Sequence, residues 1–131
     1  MPTVLFLCVH NAGRSQMAAG FARVISDGAV AVFSAGSEPA NQVNSVARDA
    51  MAEVGIDISE EQPQRWTDNG IAKADVVVTM GCGDTCPVIP GVRYIDWELT
   101  DPSRLPIEQV RPIRDEIETR VKGLLAELSA G

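Results

Sequence analysis

The run Val4–Leu7 places four consecutive apolar residues near the start of the chain, and a short glycine-containing loop follows it directly. A continuous apolar run of this length is typical of a strand buried on both faces of a parallel sheet. Similar runs occur at Ala31–Phe33, Val76–Val78 and Tyr94–Ile95. Because segments of helical periodicity separate these runs, we predict an α/β fold with helices on both faces of the sheet. Such folds bind ligands beyond the carboxyl ends of their strands.

The helical pattern is clearest in three segments, which are Ser15–Ile25, Val43–Val54 and Ile113–Leu128. Gly55 stands where a C-terminal cap belongs, directly after the second of them. A further short helix is predicted through Lys73, with Thr67 or Asp68 as its N-terminal cap. Pro112 fits the first turn of the last helix, or it marks a kink.

Length and charge restrict the class of protein. The 131 residues are 45% hydrophobic and 22% charged, which predicts one domain over residues 1–131. A net charge of −7 without a Lys/Arg cluster argues against nucleic acid or a membrane surface as a partner. The sequence has no apolar run long enough to cross a membrane and no secretion signal, so we expect a cytoplasmic protein. We also expect a monomer.

The loop that follows the first strand has the composition of an oxyanion-binding site. A short connection from a strand to a helix turns backbone N–H groups inward, and Asn11 and Gly13 tolerate the dihedral angles that a tight loop requires. Arg14 adds a planar guanidinium suited to two oxygens at once. Cationic surroundings favour the nucleophilic thiolate of Cys8, to which the Ser15 hydroxyl can donate a hydrogen bond. The predicted oxyanion ligands are Val9, His10, Asn11, Ala12, Gly13, Arg14 and Ser15.

The sequence CVHNAGRSQMA, from Cys8 to Ala18, closely resembles the nucleophile loop of arsenate reductases related to low-molecular-weight tyrosine phosphatases. The resemblance continues over essentially the whole chain, through Ser34–Gly36, Thr79–Cys82 and Asp101–Pro102. It implies a three-layer α/β/α fold with a four-stranded parallel sheet. It also implies that Cys8 is the nucleophile, that Arg14 and the loop amides bind the oxyanion, and that Asp101 protonates the departing oxygen.

Cys82 and Cys86 favour a reductase over a simple phosphatase, because arsenate reduction needs electrons that two further thiols can supply. In the reaction that we predict, Cys8 attacks arsenate, and Cys82 then attacks Cys8 and releases arsenite. Cys86 next attacks Cys82 and moves the disulfide to the edge of the protein, where thioredoxin can reduce it. The alternative reductant is mycothiol or another small thiol. The two cysteines are closer together than in the best-known thioredoxin-coupled members of the family.

Two other functions fit parts of the pattern. A phosphatase would use the same loop for phosphate, although Ser103 and Arg104 stand where phosphotyrosine phosphatases usually have aromatic residues. The second alternative is a zinc-binding or arsenite-sensing module, although an arginine inside the loop opposes the binding of a cation. That module would take its ligands from Cys8, His10, Cys82 and Cys86. For the reductase we predict neither a metal nor a cofactor.

Overall fold

The computed structural model describes residues 1–81 and 89–130 of the chain. Its helices and strands are, in chain order, β1 (Thr3–Cys8), α1 (Arg14–Ser26), β2 (Ala31–Gly36), α2 (Ser45–Ala52), α3 (Asp68–Ala72), β3 (Val76–Thr79), β4 (Arg93–Asp96) and α4 (Ile107–Ala130). Within the described residues the strands form one four-stranded sheet in the order β2-β1-β3-β4, and every neighbouring pair is parallel. The predicted α/β fold with a four-stranded parallel sheet is confirmed.

Strand β1 is buried on both sides of the sheet, as its continuous apolar run predicts. Successive side chains of a strand point to opposite faces. Val4, Phe6 and Cys8 therefore join the larger apolar cluster, in which α1, α2 and α4 pack against the sheet. Leu5 and Leu7 join a smaller cluster on the other face, to which α3 contributes Ile71. The two clusters make the sheet the middle of three layers.

The parallel register brings the carboxyl ends of the strands to one edge of the sheet. Cys8 lies opposite Gly36, Leu7 opposite Thr79, and Thr79 opposite Asp96. From β1 the chain passes to β2 on one side and later returns to β3 on the other. A crevice at such a reversal is the usual ligand site of an open parallel sheet. The loop after β1 begins at this point.

The terminal signals of two helices are confirmed. Gly55, at a φ of 82°, donates from its N–H to the Ala52 carbonyl at 3.0 Å and ends the turn that follows α2. α2 is shorter than the periodic segment at both ends, since Asn44 caps its N-terminus and the helix ends at Ala52. Thr67 caps α3, where its hydroxyl oxygen accepts a hydrogen bond from the N–H of Gly70 at 2.9 Å.

The first-turn position predicted for Pro112 is wrong, because α4 begins earlier than its apolar stripe indicates. The Pro106 carbonyl accepts hydrogen bonds from the N–H groups of Gln109 (2.9 Å) and Val110 (3.2 Å), and Val110 is fully buried. These contacts start the helix at Ile107 and leave Pro112 in the second turn. Among the described residues no helix, α4 included, is long and apolar enough to span a membrane.

An ion-pair cluster joins the end of α2 to α4. Glu53 accepts hydrogen bonds from Arg111 Nη2 at 2.6 Å and from Arg114 Nη1 at 2.8 Å. The hydrogen bonds from Arg111, followed by those from Arg114, lower the pKa of Glu53 from 4.5 to about 2. A carboxylate with a lowered pKa stabilises the folded state above the unfolded pKa, and this contribution is lost as the pH falls from 4.5 towards 2.

We expect Glu53→Gln to make the free energy of unfolding less dependent on pH in this acid range. The difference between wild type and variant in urea unfolding should be largest at neutral pH and should shrink below pH 4.5. Glu116→Gln, which removes an exposed pair with Arg120 inside one helix, is the matched control. A difference between wild type and Glu53→Gln that is the same at pH 7 and pH 3 would contradict this assignment.

Candidate active site

A pocket of about 330 Å³ opens at the carboxyl edge of the sheet. Three segments form it: the loop after β1, the segment that leads into α2, and the loop that precedes α4. The residues that line it are Cys8, His10, Ala12, Gly13, Arg14, Ala40, Gln42, Val43, Asn44, Ser45, Asp101, Pro102 and Ser103. The sequence-predicted cysteine, arginine and aspartate thus lie around a single pocket.

Cys8 ends β1, and only 3% of its surface is exposed. Its Sγ lies 2.8 Å from the Ser15 Oγ, which is the contact predicted from the sequence. The same Oγ accepts a hydrogen bond from the Asn11 Nδ2 at 2.7 Å. A hydroxyl has two lone pairs and one hydrogen, so Ser15 can accept this bond and still donate its hydrogen to the Cys8 sulfur. A hydrogen bond from a hydroxyl stabilises a thiolate relative to a thiol.

Asn11 holds the loop in its unusual shape. Its φ of 50° lies in the left-handed region that asparagine tolerates, and the residue is fully buried. Its Oδ1 accepts hydrogen bonds from the Gln64 main-chain N–H at 2.9 Å and from the Gln16 Nε2 at 3.2 Å. The sequence indicated the backbone conformation of Asn11, but neither glutamine was identified as its support.

The outer side of the loop is joined to the segment after β2. Three backbone hydrogen bonds connect them, from the N–H of Glu38 to the carbonyl of Val9 (2.8 Å), from Ala40 to His10 (3.0 Å) and from Asn44 to Ala12 (2.9 Å). His10 adds a contact from its Nδ1 to the Glu38 carbonyl at 3.0 Å. A Cβ at Gly36 would lie 2.5 Å from the Val9 carbonyl oxygen, so only glycine permits this close packing. The loop is therefore a supported structure, in which three carbonyls accept main-chain hydrogen bonds from the segment after β2.

Arg14 is the first residue of α1, and its side chain is 9% exposed. Its Nη1 donates to the Leu99 carbonyl at 3.3 Å, and its Nη2 lies 3.9 Å from the Asp101 Oδ2. A guanidinium has five N–H donors, so donors remain for an anion in the pocket. The Leu99 carbonyl fixes the orientation of the group, and it was not anticipated from the sequence.

Asp101 stands at the mouth of the pocket with a half-exposed side chain. Its Oδ1 accepts a hydrogen bond from the Ser103 main-chain N–H at 3.0 Å. Pro102 is buried, and its Cγ would lie 3.0 Å from a Cβ at Gly13. This loop therefore packs directly on the cysteine loop, with a carboxyl group beside Arg14.

The other two cysteines of the prediction, Cys82 and Cys86, lie outside the described residues. The residue before them, Gly81, packs against the Arg14 guanidinium. Within residues 1–81 and 89–130, no group of three or more His, Cys, Asp and Glu side chains could hold a metal ion. The zinc hypothesis requires both of these cysteines and stays a prediction.

Comparisons with known proteins agree with this geometry. The model of the low molecular weight phosphotyrosine protein phosphatase family matches residues 3–131. A putative arsenate reductase of Halobacterium salinarum is 39% identical, over 95% of this chain and 91% of that protein. The glutaredoxin arsenate reductase of Synechocystis is 37% identical, over 98% of this chain and 100% of that protein.

A solved structure of the thioredoxin-dependent arsenate reductase of Corynebacterium glutamicum superposes with a TM-score of 0.86 and 41% identity. The match covers 99% of this chain but 63% of that one, so this chain spans less than two thirds of that structure. From the fold, the loop geometry and the family match together, the chain belongs to the low molecular weight phosphotyrosine protein phosphatase family, together with the arsenate reductases that it resembles over nearly its whole length.

Proposed function

We propose that this protein reduces arsenate to arsenite and so serves in arsenic detoxification. The observation that carries the proposal is the Cys8 sulfur, 2.8 Å from a serine hydroxyl, in a pocket that Arg14 and Asp101 also line. A nucleophile, a cationic fork for two oxygens and a carboxyl group are the side chains that attack on an oxyanion requires. The names of the relatives described above support arsenate as that oxyanion.

In the first step, the thiolate of Cys8 attacks the arsenic atom and forms a sulfur–arsenic bond. Arg14 and the N–H groups of the loop from Val9 to Ser15 bind the remaining oxygens. Asp101 gives its proton to the departing oxygen, which leaves as water. Support comes from the hydrogen bonds that occupy three of the loop carbonyls, since carbonyls with partners elsewhere leave the binding of the anion to the N–H groups of the loop.

In the second step, the thiolate of Cys82 attacks the Cys8 sulfur. The sulfur–arsenic bond breaks, its electron pair stays on arsenic as arsenite leaves, and a Cys8–Cys82 disulfide forms. Cys86 then attacks Cys82, which frees Cys8 and leaves a Cys82–Cys86 disulfide for thioredoxin to reduce. The contact of Gly81 with Arg14 supports a role for Cys82 in this step, because Cys82 is the next residue in the sequence.

The test is arsenite formation by the purified, reduced protein with alternative electron donors. Thioredoxin, thioredoxin reductase and NADPH should sustain many turnovers, whereas mycothiol or glutathione with its glutaredoxin should sustain few. Sustained turnover with a small-thiol system alone would support arsenate reduction but contradict thioredoxin as the electron donor. Absence of arsenite with every donor would remove the proposal.

Phosphatase activity is the second candidate, because a pocket that binds arsenate also suits phosphate. The residues that line the pocket oppose a phosphotyrosine substrate, since within the described chain they include no Phe, Tyr or Trp. We therefore expect slow hydrolysis of para-nitrophenyl phosphate and no preference for aryl over alkyl phosphates. A kcat/KM for the aryl phosphate that exceeds that for arsenate would favour the phosphatase.

A further inference from the structure

The guanidinium of Arg14 has no spare room on the side that faces the end of β3. A Cβ atom at residue 81 would lie 2.3 Å from the Arg14 Nη1 and 3.2 Å from its Cζ. Unbonded atoms do not approach to 2.3 Å, so any side chain at this position must displace the arginine. Gly81 also has a φ of 82°, in the region that favours glycine.

Arg14 has few alternative positions. Its side chain is almost fully buried, and its Nη1 already donates to the Leu99 carbonyl at 3.3 Å. Displacement away from residue 81 would break that hydrogen bond or push the guanidinium into the pocket above Cys8. In either case the fork would no longer face an oxyanion with the same geometry.

We propose that Gly81 is a positioning residue for oxyanion binding, which acts through Arg14 by leaving space for its guanidinium. The inference deepens the proposed function, because the oxyanion concerned is the substrate of that function. Gly81 itself touches no reacting atom. Gly81 limits the position of the guanidinium from the segment after β3, while the Leu99 carbonyl limits it from the segment after β4.

The test is the affinity of the reduced protein for inorganic phosphate, measured by calorimetry. Gly81→Ala should raise the Kd for phosphate by ~10-fold or more, because a charge-assisted hydrogen bond is lost or misdirected. Gly28→Ala is the matched control, since Gly28 has a φ of 86° and a Cβ there would meet nothing within 4 Å. The control carries the same backbone strain without the contact, and its Kd should stay within ~2-fold of wild type.

A second background separates positioning from general damage. Arg14→Lys removes the Nη1 atom that the new Cβ would meet, so adding Gly81→Ala to it should change the phosphate Kd by less than ~2-fold. An equal loss in both backgrounds, an equal loss in Gly28→Ala, or no loss in Gly81→Ala would each overturn the proposal. If Gly81→Ala fails to fold, recovery of folding in the double variant would support the clash, and failure to recover would contradict it.

This measurement is independent of turnover. If Gly81→Ala weakens phosphate binding but the wild-type protein forms no arsenite with any electron donor, the proposed reductase activity is disproved and the role of Gly81 stands. If the wild type reduces arsenate but the phosphate Kd of Gly81→Ala is unaltered, the reductase activity stands and the role of Gly81 is disproved.

Discussion

Replacement of Cys8 by serine is expected to abolish arsenate reduction, with kcat lower by on the order of 10⁴-fold or more. A serine hydroxyl at this position is not ionised at neutral pH, and an oxygen nucleophile cannot become the sulfur half of a disulfide. The loss should therefore be complete even in the first turnover. Arsenite release measured in a single-turnover experiment, with enzyme in excess over arsenate, checks the prediction.

The control for Cys8→Ser is its affinity for phosphate. Because Arg14 and the loop amides are unchanged, the variant should still bind phosphate with a Kd within a few-fold of wild type. Loss of phosphate binding would mean that the substitution disturbed the loop. Arsenite formation by a folded, phosphate-binding Cys8→Ser protein would show that the sulfur is not the nucleophile.

Replacement of Cys86 by serine is expected to allow at most one turnover with thioredoxin. The variant can still form the sulfur–arsenic bond and the Cys8–Cys82 disulfide, so one arsenite is released for each chain. Without the third thiol, that disulfide cannot pass to a position that thioredoxin attacks. Quench-flow measurement of arsenite should show an initial burst of one equivalent followed by a halt.

Addition of an excess of dithiothreitol is the control for the Cys86→Ser experiment. A small dithiol can reduce the Cys8–Cys82 disulfide directly, so slow turnover should resume. Rapid, repeated turnover of the variant with thioredoxin alone would rule out the third thiol as a necessary carrier and would leave two cysteines for the cycle.

The sheet and the cysteine loop could be predicted because they depend on the burial and backbone preferences of the residues that form them. The unbroken apolar run Val4–Leu7 requires burial on both faces, and both apolar clusters include residues from it. Asn11 is one of the few non-glycine types that tolerates a φ of 50°. Cys8 ends β1, and Arg14 and Ser15 begin α1, so one short loop brings the three residues to the same site.

The supports of the site could not be predicted, because they depend on main-chain groups and on distant segments. The Leu99 carbonyl orients Arg14 across 85 residues, and the Gln64 N–H holds Asn11 across 53. Almost every residue has the same main-chain carbonyl and N–H, so residue type does not show which of these groups support the site. The prediction for Pro112 is wrong for a related reason, since the hydrogen bonds that start α4 are accepted by the main-chain carbonyl of Pro106.

In the proposed cycle, Cys8 attacks the oxyanion and electrons then pass through Cys82 to Cys86. The most direct test treats the fully reduced protein with one equivalent of arsenate in the absence of any reductant, followed by alkylation and peptide mass spectrometry. We expect one arsenite per chain, a Cys82–Cys86 disulfide and an alkylated Cys8. When Cys86 is replaced by serine, we expect a Cys8–Cys82 disulfide instead. Arsenite release that leaves both Cys82 and Cys86 as free thiols would contradict the proposed cycle.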